Sequence, residues 1–394
     1  MDKNLQDQPI FQSGLDLLQQ GKYQEADQAF LKAHHLNPNN VDTLNLLGIR
    51  CYQKQDYTNA LHFLSSANLI APGSAHTLGN LGLVHNALLQ FQAALEYCDQ
   101  AIQTDDSIPE AHNNRGNSLK GLGLHQEAII AYSRAIAMRP NYAEAMNNQG
   151  IVLLEQNLPE KAIHLLDQAI KANPNLASAF NSLGNAFTLL GNSENAFQNF
   201  ERALEINPNY LDACLNFGNS LKKFKQYAGA IQCYQHALKI KPQHARAFYL
   251  LGELNYDIGN CALAKTYLSK SILLDATDIE ARYALAIAQI PKVSESMAAS
   301  DNSRQSFANE LNNLQASNFL TPDSDIASKL ISRHPFYLAY QTENNQPLLT
   351  QFGSICTKQA EVIQNKLVNS SRQSNANQKI RIAIVSHFFC DHPV

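Results

Sequence analysis

The residues best placed to do chemistry in this chain are asparagines that recur at a fixed interval. Asn80, Asn114, Asn148 and Asn216 lie 34, 34 and 68 residues apart, and Asn117, Asn185 and Asn219 stand three places behind the same register. A side-chain amide offers a donor and an acceptor together, so a row of amides can satisfy the backbone of an extended peptide whatever side chains that peptide carries. Asparagine is a poor helix former because its amide competes with the backbone, and each mid-helix placement costs a few tenths of a kcal/mol. Two readings explain the recurrence. The amides form a ladder along a peptide groove, or they persist by internal duplication and tie neighbouring helices together.

Other chemistries find little support in the composition. The seven cysteines form no CxxC pair and leave one over, which points away from a disulfide or zinc framework and toward a reducing cytoplasm. No metal-ligand cluster stands out. A net charge of −4 over 394 residues, with pI near 6.3, argues against a nucleic-acid binder that neutralises phosphates. The opening residues are polar and no apolar run approaches the roughly 18 residues of a membrane span, so neither a cleaved leader nor a membrane helix is expected. With 45% apolar and 16% charged residues the chain can bury a core.

The elements that carry the amides follow from the same period. Gly14, Gly48, Gly82, Gly116, Gly150, Gly184, Gly218 and Gly252 are spaced by 34 residues without insertion or deletion. Alanine follows each glycine twelve places on, from Ala26 to Ala264, and a second small residue comes seven later, from Ala33 to Ser271. Between them stands a large or apolar residue such as Phe30, Tyr132 or Phe200. That i, i+4, i+7 stripe predicts a helix, with a second helix ahead of it in which glycine permits close approach. Proline closes six of the eight units, ending the second helix of each.

This pattern resembles the tetratricopeptide repeat. It covers residues 7–278 as eight contiguous units and departs from the family's pattern mainly at unit position 4, where tryptophan is absent. The resemblance implies an all-α, right-handed superhelical solenoid whose first helices line a concave groove at unit positions 2, 5, 6, 9 and 12–13. Asn80, Asn114, Asn148 and Asn216 then occupy position 6, and Asn117, Asn185 and Asn219 position 9. A partner held by a carboxylate clamp would need cations in these slots, but position 2 holds Glu110, Glu144 and Asp212. Residues 279–290 read as a further first helix that caps the stack.

Beyond Pro291 the period is lost and Ser, Asn and Gln dominate a linker. Phe307, Leu311 and Leu314 mark an amphipathic helix within 301–316, and residues 345–368 read as another. After a second polar stretch, Ile380 to Val385 form a short apolar run that reads as a strand buried on both faces. The repeats, then His334-Pro335-Phe336-Tyr337-Leu338-Ala339-Tyr340-Gln341, then Lys379 through His392, together resemble the O-GlcNAc transferase family, its bacterial SPINDLY-like branch most closely. The resemblance implies that residues 379–394 begin a Rossmann-like lobe. It also implies that the repeats feed an acceptor polypeptide to a catalytic cleft, where the donor of a complete member would be UDP-GlcNAc or GDP-fucose. By motif position His392 corresponds to the family's candidate base beside the acceptor. Ala383 and His387 depart from the family's residues there.

The chain stops at Val394, one strand into that lobe. The expectation is an acceptor-binding region that holds no cofactor itself and is inactive alone, with extended polypeptides or a downstream catalytic polypeptide as partners and neither nucleic acid nor membrane among them. The alternative is a non-enzymatic interaction scaffold, for which limited proteolysis would leave a stable core ending near residue 290.

Overall fold

The computed structural model describes residues 7–293, 296–317, 330, 335, 337–338 and 343–371. Among these every regular element is a helix. Two compact units divide the chain between Phe224 and Lys225.

The first unit is a series of antiparallel helix pairs: α1 (Asp7–Gln19) with α2 (Tyr23–Leu36), α3 (Val41–Gln53) with α4 (Tyr57–Ile70), and α5 (Ala75–Ala87) with α6 (Phe91–Thr104). The series continues with α7 (Pro109–Gly121) and α8 (His125–Met138), α9 (Ala143–Glu155) and α10 (Pro159–Ala172), α11 (Ala177–Leu189) and α12 (Ser193–Ile206), and ends with α13 (Leu211–Lys223). The starts of α3, α4, α5 and α12 are fixed by side-chain caps that occupy otherwise unsatisfied amide N–H groups. Asn40 accepts from the Thr43 N–H at 3.0 Å and Asn192 from that of Asn195 at 3.1 Å, while Pro109 and Pro159 open α7 and α10.

Each pair closes on one contact. A Cβ built on Gly116 would lie 2.5 Å from Cε1 of Tyr132, and one on Gly184 would lie 2.7 Å from Cε1 of Phe200. The glycine therefore makes room for the large residue sixteen places later. Ala128, Tyr132 and Ala135 are fully buried, as are Ala196, Phe200 and Ala203, so the stripe read from the sequence is the face that packs inward.

The second unit contains α14 (Tyr227–Ile240), α15 (Ala245–Asp257), α16 (Cys261–Leu274), α17 (Ile279–Ala288), α18 (Met297–Ser317) and α19 (Gln346–Ser371). Arg246 of α15 donates to Glu280 at 2.5 Å. Tyr283 and Ile287 of α17 share one apolar cluster with Phe307, Leu311 and Leu314 of α18 and with Phe352 and Ile355 of α19. The helices expected within 301–316 and over 345–368 are thus α18 and α19, and α18 starts earlier than expected, at Met297 in the stretch read as linker. The strand expected in 379–394, and most of the His334–Gln341 segment, lie outside the described residues; Leu338 is buried in the α17–α19 cluster.

Candidate groove of amides and an apolar pocket

The first helices α3 to α13 bring the position-6 residues into one register, and the structure shows where each amide spends its hydrogen bonds. Asn148 is half-buried and its Nδ2 donates to Oδ1 of Asn113 at 3.1 Å; Asn216, also half-buried, donates in the same way to Asn181 at 3.1 Å. Between them Ser182 donates to Oδ1 of Asn147 at 2.9 Å. These are ties between successive repeats, from position 6 back to position 5 of the unit before. Asn148 and Asn216 each retain one N–H and the amide oxygen with no partner among the described residues.

Asn114 differs. It is 6% exposed, its Nδ2 donates to the backbone carbonyl of Gly79 at 3.2 Å, and its backbone carbonyl receives Asn86 Nδ2 at 2.8 Å. Its amide is mostly withdrawn into the helix packing. Asn80 is half-buried and has no hydrogen-bond partner among the described residues. At position 9, Asn117 accepts from the Tyr132 hydroxyl at 2.8 Å, a bond within its own repeat. Asn185 is half-buried without a partner among the described residues, and Asn219 is exposed.

Sequence reasoning did not single out Asn113, Asn147 and Asn181, which are 7%, 4% and 7% exposed and act as the acceptors of the ties. Their signal was the pairing of adjacent asparagines at 113–114 and 147–148. An Asn-Asn pair on a helix points one amide toward the next helix while its neighbour stands about 100° around the axis.

Toward α1 the same groove positions turn apolar. Phe11, Leu15, Leu46 and Ile49 help to line a pocket of about 460 Å³, with Asn80 at its edge. At position 2, Asp42, Glu144 and Asp212 are exposed, whereas Glu110 accepts from Arg139 at 2.5 Å.

Nucleophiles and metal sites gain nothing from the geometry. Burial pushes the Cys98 thiol up to about 12 and that of Cys214 up to about 11, so both are packing residues rather than thiolates. No group of three or more His, Cys, Asp or Glu among the described residues could hold a metal ion. No described helix is long and apolar enough to cross a membrane. His392 lies outside the described residues.

Comparison with known proteins places these features in a family of repeats. Models of the tetratricopeptide repeat match residues 11–75, 107–173 and 177–210, and a model described as TPR repeat matches 218–259. Among solved structures, one chain from the Cut9–Hcn1 hetero-tetramer of the APC/C is 18% identical over 68% of this chain with a TM-score of 0.58. The match covers 52% of that chain, so this protein spans about half the length of its structural relative. A tetratricopeptide repeat protein from Parabacteroides merdae is 16% identical over 63% of this chain and 98% of its own, with a TM-score of 0.50. A search of curated proteins gives no match.

Proposed function

We infer that this chain, whose tetratricopeptide repeats stack in an all-helical solenoid, serves as a protein–protein interaction scaffold. We propose that the groove of the first unit binds an extended polypeptide through its backbone, with Asn148 and Asn216 as the principal contacts and Asn80 and Asn185 extending the row. The observation that carries this reading is the unspent amide capacity of Asn148 and Asn216. Each gives one N–H to the repeat before it and keeps a donor and an acceptor. Asn114 contributes chiefly to packing, and the place of Asn117 and Asn219 in the row is secondary.

A backbone ladder is indifferent to side chains and sensitive to N–H groups. Fluorescence anisotropy with a 14-residue Ser/Thr/Val peptide tests this directly. Shuffling its sequence leaves affinity unchanged, whereas N-methylating alternate residues abolishes binding. Asn148→Ala with Asn216→Ala weakens binding about tenfold, since two hydrogen bonds are worth about 1–3 kcal/mol together. Unchanged binding with a large fall in melting temperature would show that the amides only tie helices.

The order of motifs in the sequence, repeats followed by His334–Gln341 and Lys379–His392, favours a finer reading: the bound polypeptide is the acceptor of a nucleotide-sugar-dependent O-glycosyltransferase, with His392 as candidate base and UDP-GlcNAc or GDP-fucose as donor. Incubating this chain with a Ser/Thr-rich peptide and either donor tests the division of labour by mass spectrometry. Peptide binding without sugar transfer is expected of an acceptor-binding region, and transfer by this chain alone would contradict it.

A further inference from the structure

The groove changes chemistry toward its α1 end. Several positions that hold amides in the central repeats hold hydrocarbon there: position 5 of the first repeat is Phe11 where later repeats have Asn113, Asn147 and Asn181, and position 9 is Leu15 and Ile49 where later repeats have Asn117 and Asn185, although Asn45 keeps an amide at position 5 of the second repeat. Position 6 is Leu46 instead of Asn114 or Asn148. These side chains help to wall the 460 Å³ pocket, a volume within the range that accepts small organic groups. Leaving such a surface against water costs about 25 cal/mol per Å², and its occupant recovers that cost on binding.

Two features define the occupant. The pocket is continuous with the amide row, since Asn80 belongs to both. Its edge carries the exposed carboxylate of Asp42, which has no hydrogen bond or ion pair among the described residues; no lysine or arginine lines the pocket, and the basic side chain among its lining residues is His76. An exposed carboxylate at the edge of an apolar floor calls for a ligand that brings hydrocarbon and positive charge together.

We propose that the pocket seats one leucine- or phenylalanine-sized side chain of the polypeptide held along the amide row, with a lysine or arginine of that polypeptide next to it facing Asp42. The partner is thus an extended segment with a large apolar anchor at one end and a basic residue beside it. This inference rests on the peptide-groove reading, and it adds what that reading omits, a side-chain preference and a place where the bound chain is registered.

The test uses the full chain and fluorescein-labelled 14-residue Ser/Thr/Gly peptides containing one Leu-Lys pair, near the N-terminus in one series and near the C-terminus in the other. In one of the two series the Leu-Lys peptide binds about tenfold tighter than its Leu→Ser control, as expected for burying most of one leucine side chain. Ile49→Asn removes that advantage and leaves the control's affinity unchanged, and Ile49→Leu retains it. A Lys→Glu peptide binds more weakly than the Lys peptide, and Asp42→Lys inverts that order. Equal affinity of the Leu and Ser peptides in both series, with both weakened by Asn148→Ala/Asn216→Ala, overturns the anchor and leaves the ladder standing. Loss of the Leu advantage in Ile49→Asn with no effect of the paired asparagine substitutions upholds the anchor and removes the ladder. A wild-type dimer that Ile49→Asn renders monomeric by light scattering would assign the pocket to a second copy of the chain and overturn the proposal, as would failure of every peptide to bind.

Discussion

The turn that joins the two helices of each repeat carries a measurable strain. Unit position 15 is left-handed in every repeat, with φ of +74° at Gly21, +76° at Gly123, +77° at Gly191 and +88° at Gly259, but also +63° at Gln55, +58° at Leu89, +57° at Asn157 and +62° at Lys225. The geometry closes a C-terminal cap of crossed hydrogen bonds. At the third repeat the Leu89 N–H donates to the Asn86 carbonyl at 3.0 Å and the Gln90 N–H to that of His85 at 2.9 Å. Holding an L-residue in this region costs about 1–2 kcal/mol, and replacing it by glycine gives back about 0.5–1 kcal/mol through the looser unfolded chain. Leu89 is 72% exposed, so its side chain contributes little burial. Leu89→Gly is therefore expected to stabilise by about 0.5–1 kcal/mol, Gln55→Gly by a similar amount, and the pair additively because the turns share no partners. Asn157→Gly should gain least, because asparagine tolerates the left-handed region. Urea denaturation followed by circular dichroism reads the total. Hydrogen exchange at the Leu88–Gln90 turn reads the local effect, which matters because a repeat array need not unfold in one step. A destabilised Leu89→Gly variant, or a gain at Asn157 equal to that at Leu89, would refute the strain argument.

Two further outcomes follow from named contacts. Desolvation acts to raise the pKa of Asp27, but hydrogen bonds and charge from Arg50 and Lys54, each 2.7 Å away, outweigh it and hold the carboxyl below its ordinary value. A depressed folded pKa stabilises above the unfolded value of about 4 and is lost as pH falls through the folded value, so Asp27→Asn should melt lower than wild type at pH 7 and converge with it in acid. In the second unit Phe307 is fully buried in the cluster that joins α17, α18 and α19. Phe307→Ala should cost about 3–5 kcal/mol in that cluster and expose α18 to trypsin, with the repeats of the first unit still protected.

What the sequence made legible is what repeats. A 34-residue period with glycine facing a bulky residue fixes helix pairing, because Gly116 and Tyr132, or Gly184 and Phe200, can be neighbours only if the two helices run back to back. The turn at position 15 was not legible, because Gln55 and Leu89 stand there and the conformation is imposed by chain closure rather than by residue type. Outside the repeats, Phe307, Leu311 and Leu314 keep helical spacing, so the helix expected within 301–316 is found as α18 with all three buried. Composition misled only at its start, because residues 297–300 belong to the helix although the serine- and asparagine-rich stretch around them reads as linker. For the candidate site, the amides could be read but not their acceptors. Whether Asn114 meets a neighbouring backbone, or Asn148 a neighbouring amide, depends on which residue the preceding helix presents at position 5: Gly79 in one case and Asn113 in the other.

The two readings of the asparagines are therefore not exclusive, and the reason lies in donor count. An amide has two N–H groups, so Asn148 and Asn216 can hold the preceding repeat with one and keep the other for a ligand. A hydroxyl has one. Ser182, in the same register, is 2% exposed and faces both the Asn147 amide oxygen and the Ser178 carbonyl at 2.9 Å, which leaves no donor for the groove. The amide row is accordingly broken at the sixth repeat. Half-buried Asn185, one turn further along the same helix and without a partner among the described residues, is the side chain there with amide capacity to spare. An extended chain advances about three residues, at about 3.3 Å each, for every helix-to-helix step of about 9 Å. A bound backbone would thus meet an amide at each repeat from the third to the seventh only if it shifts by about one helical turn across the groove at the sixth, and at the fourth the buried Asn114 gives it little to meet.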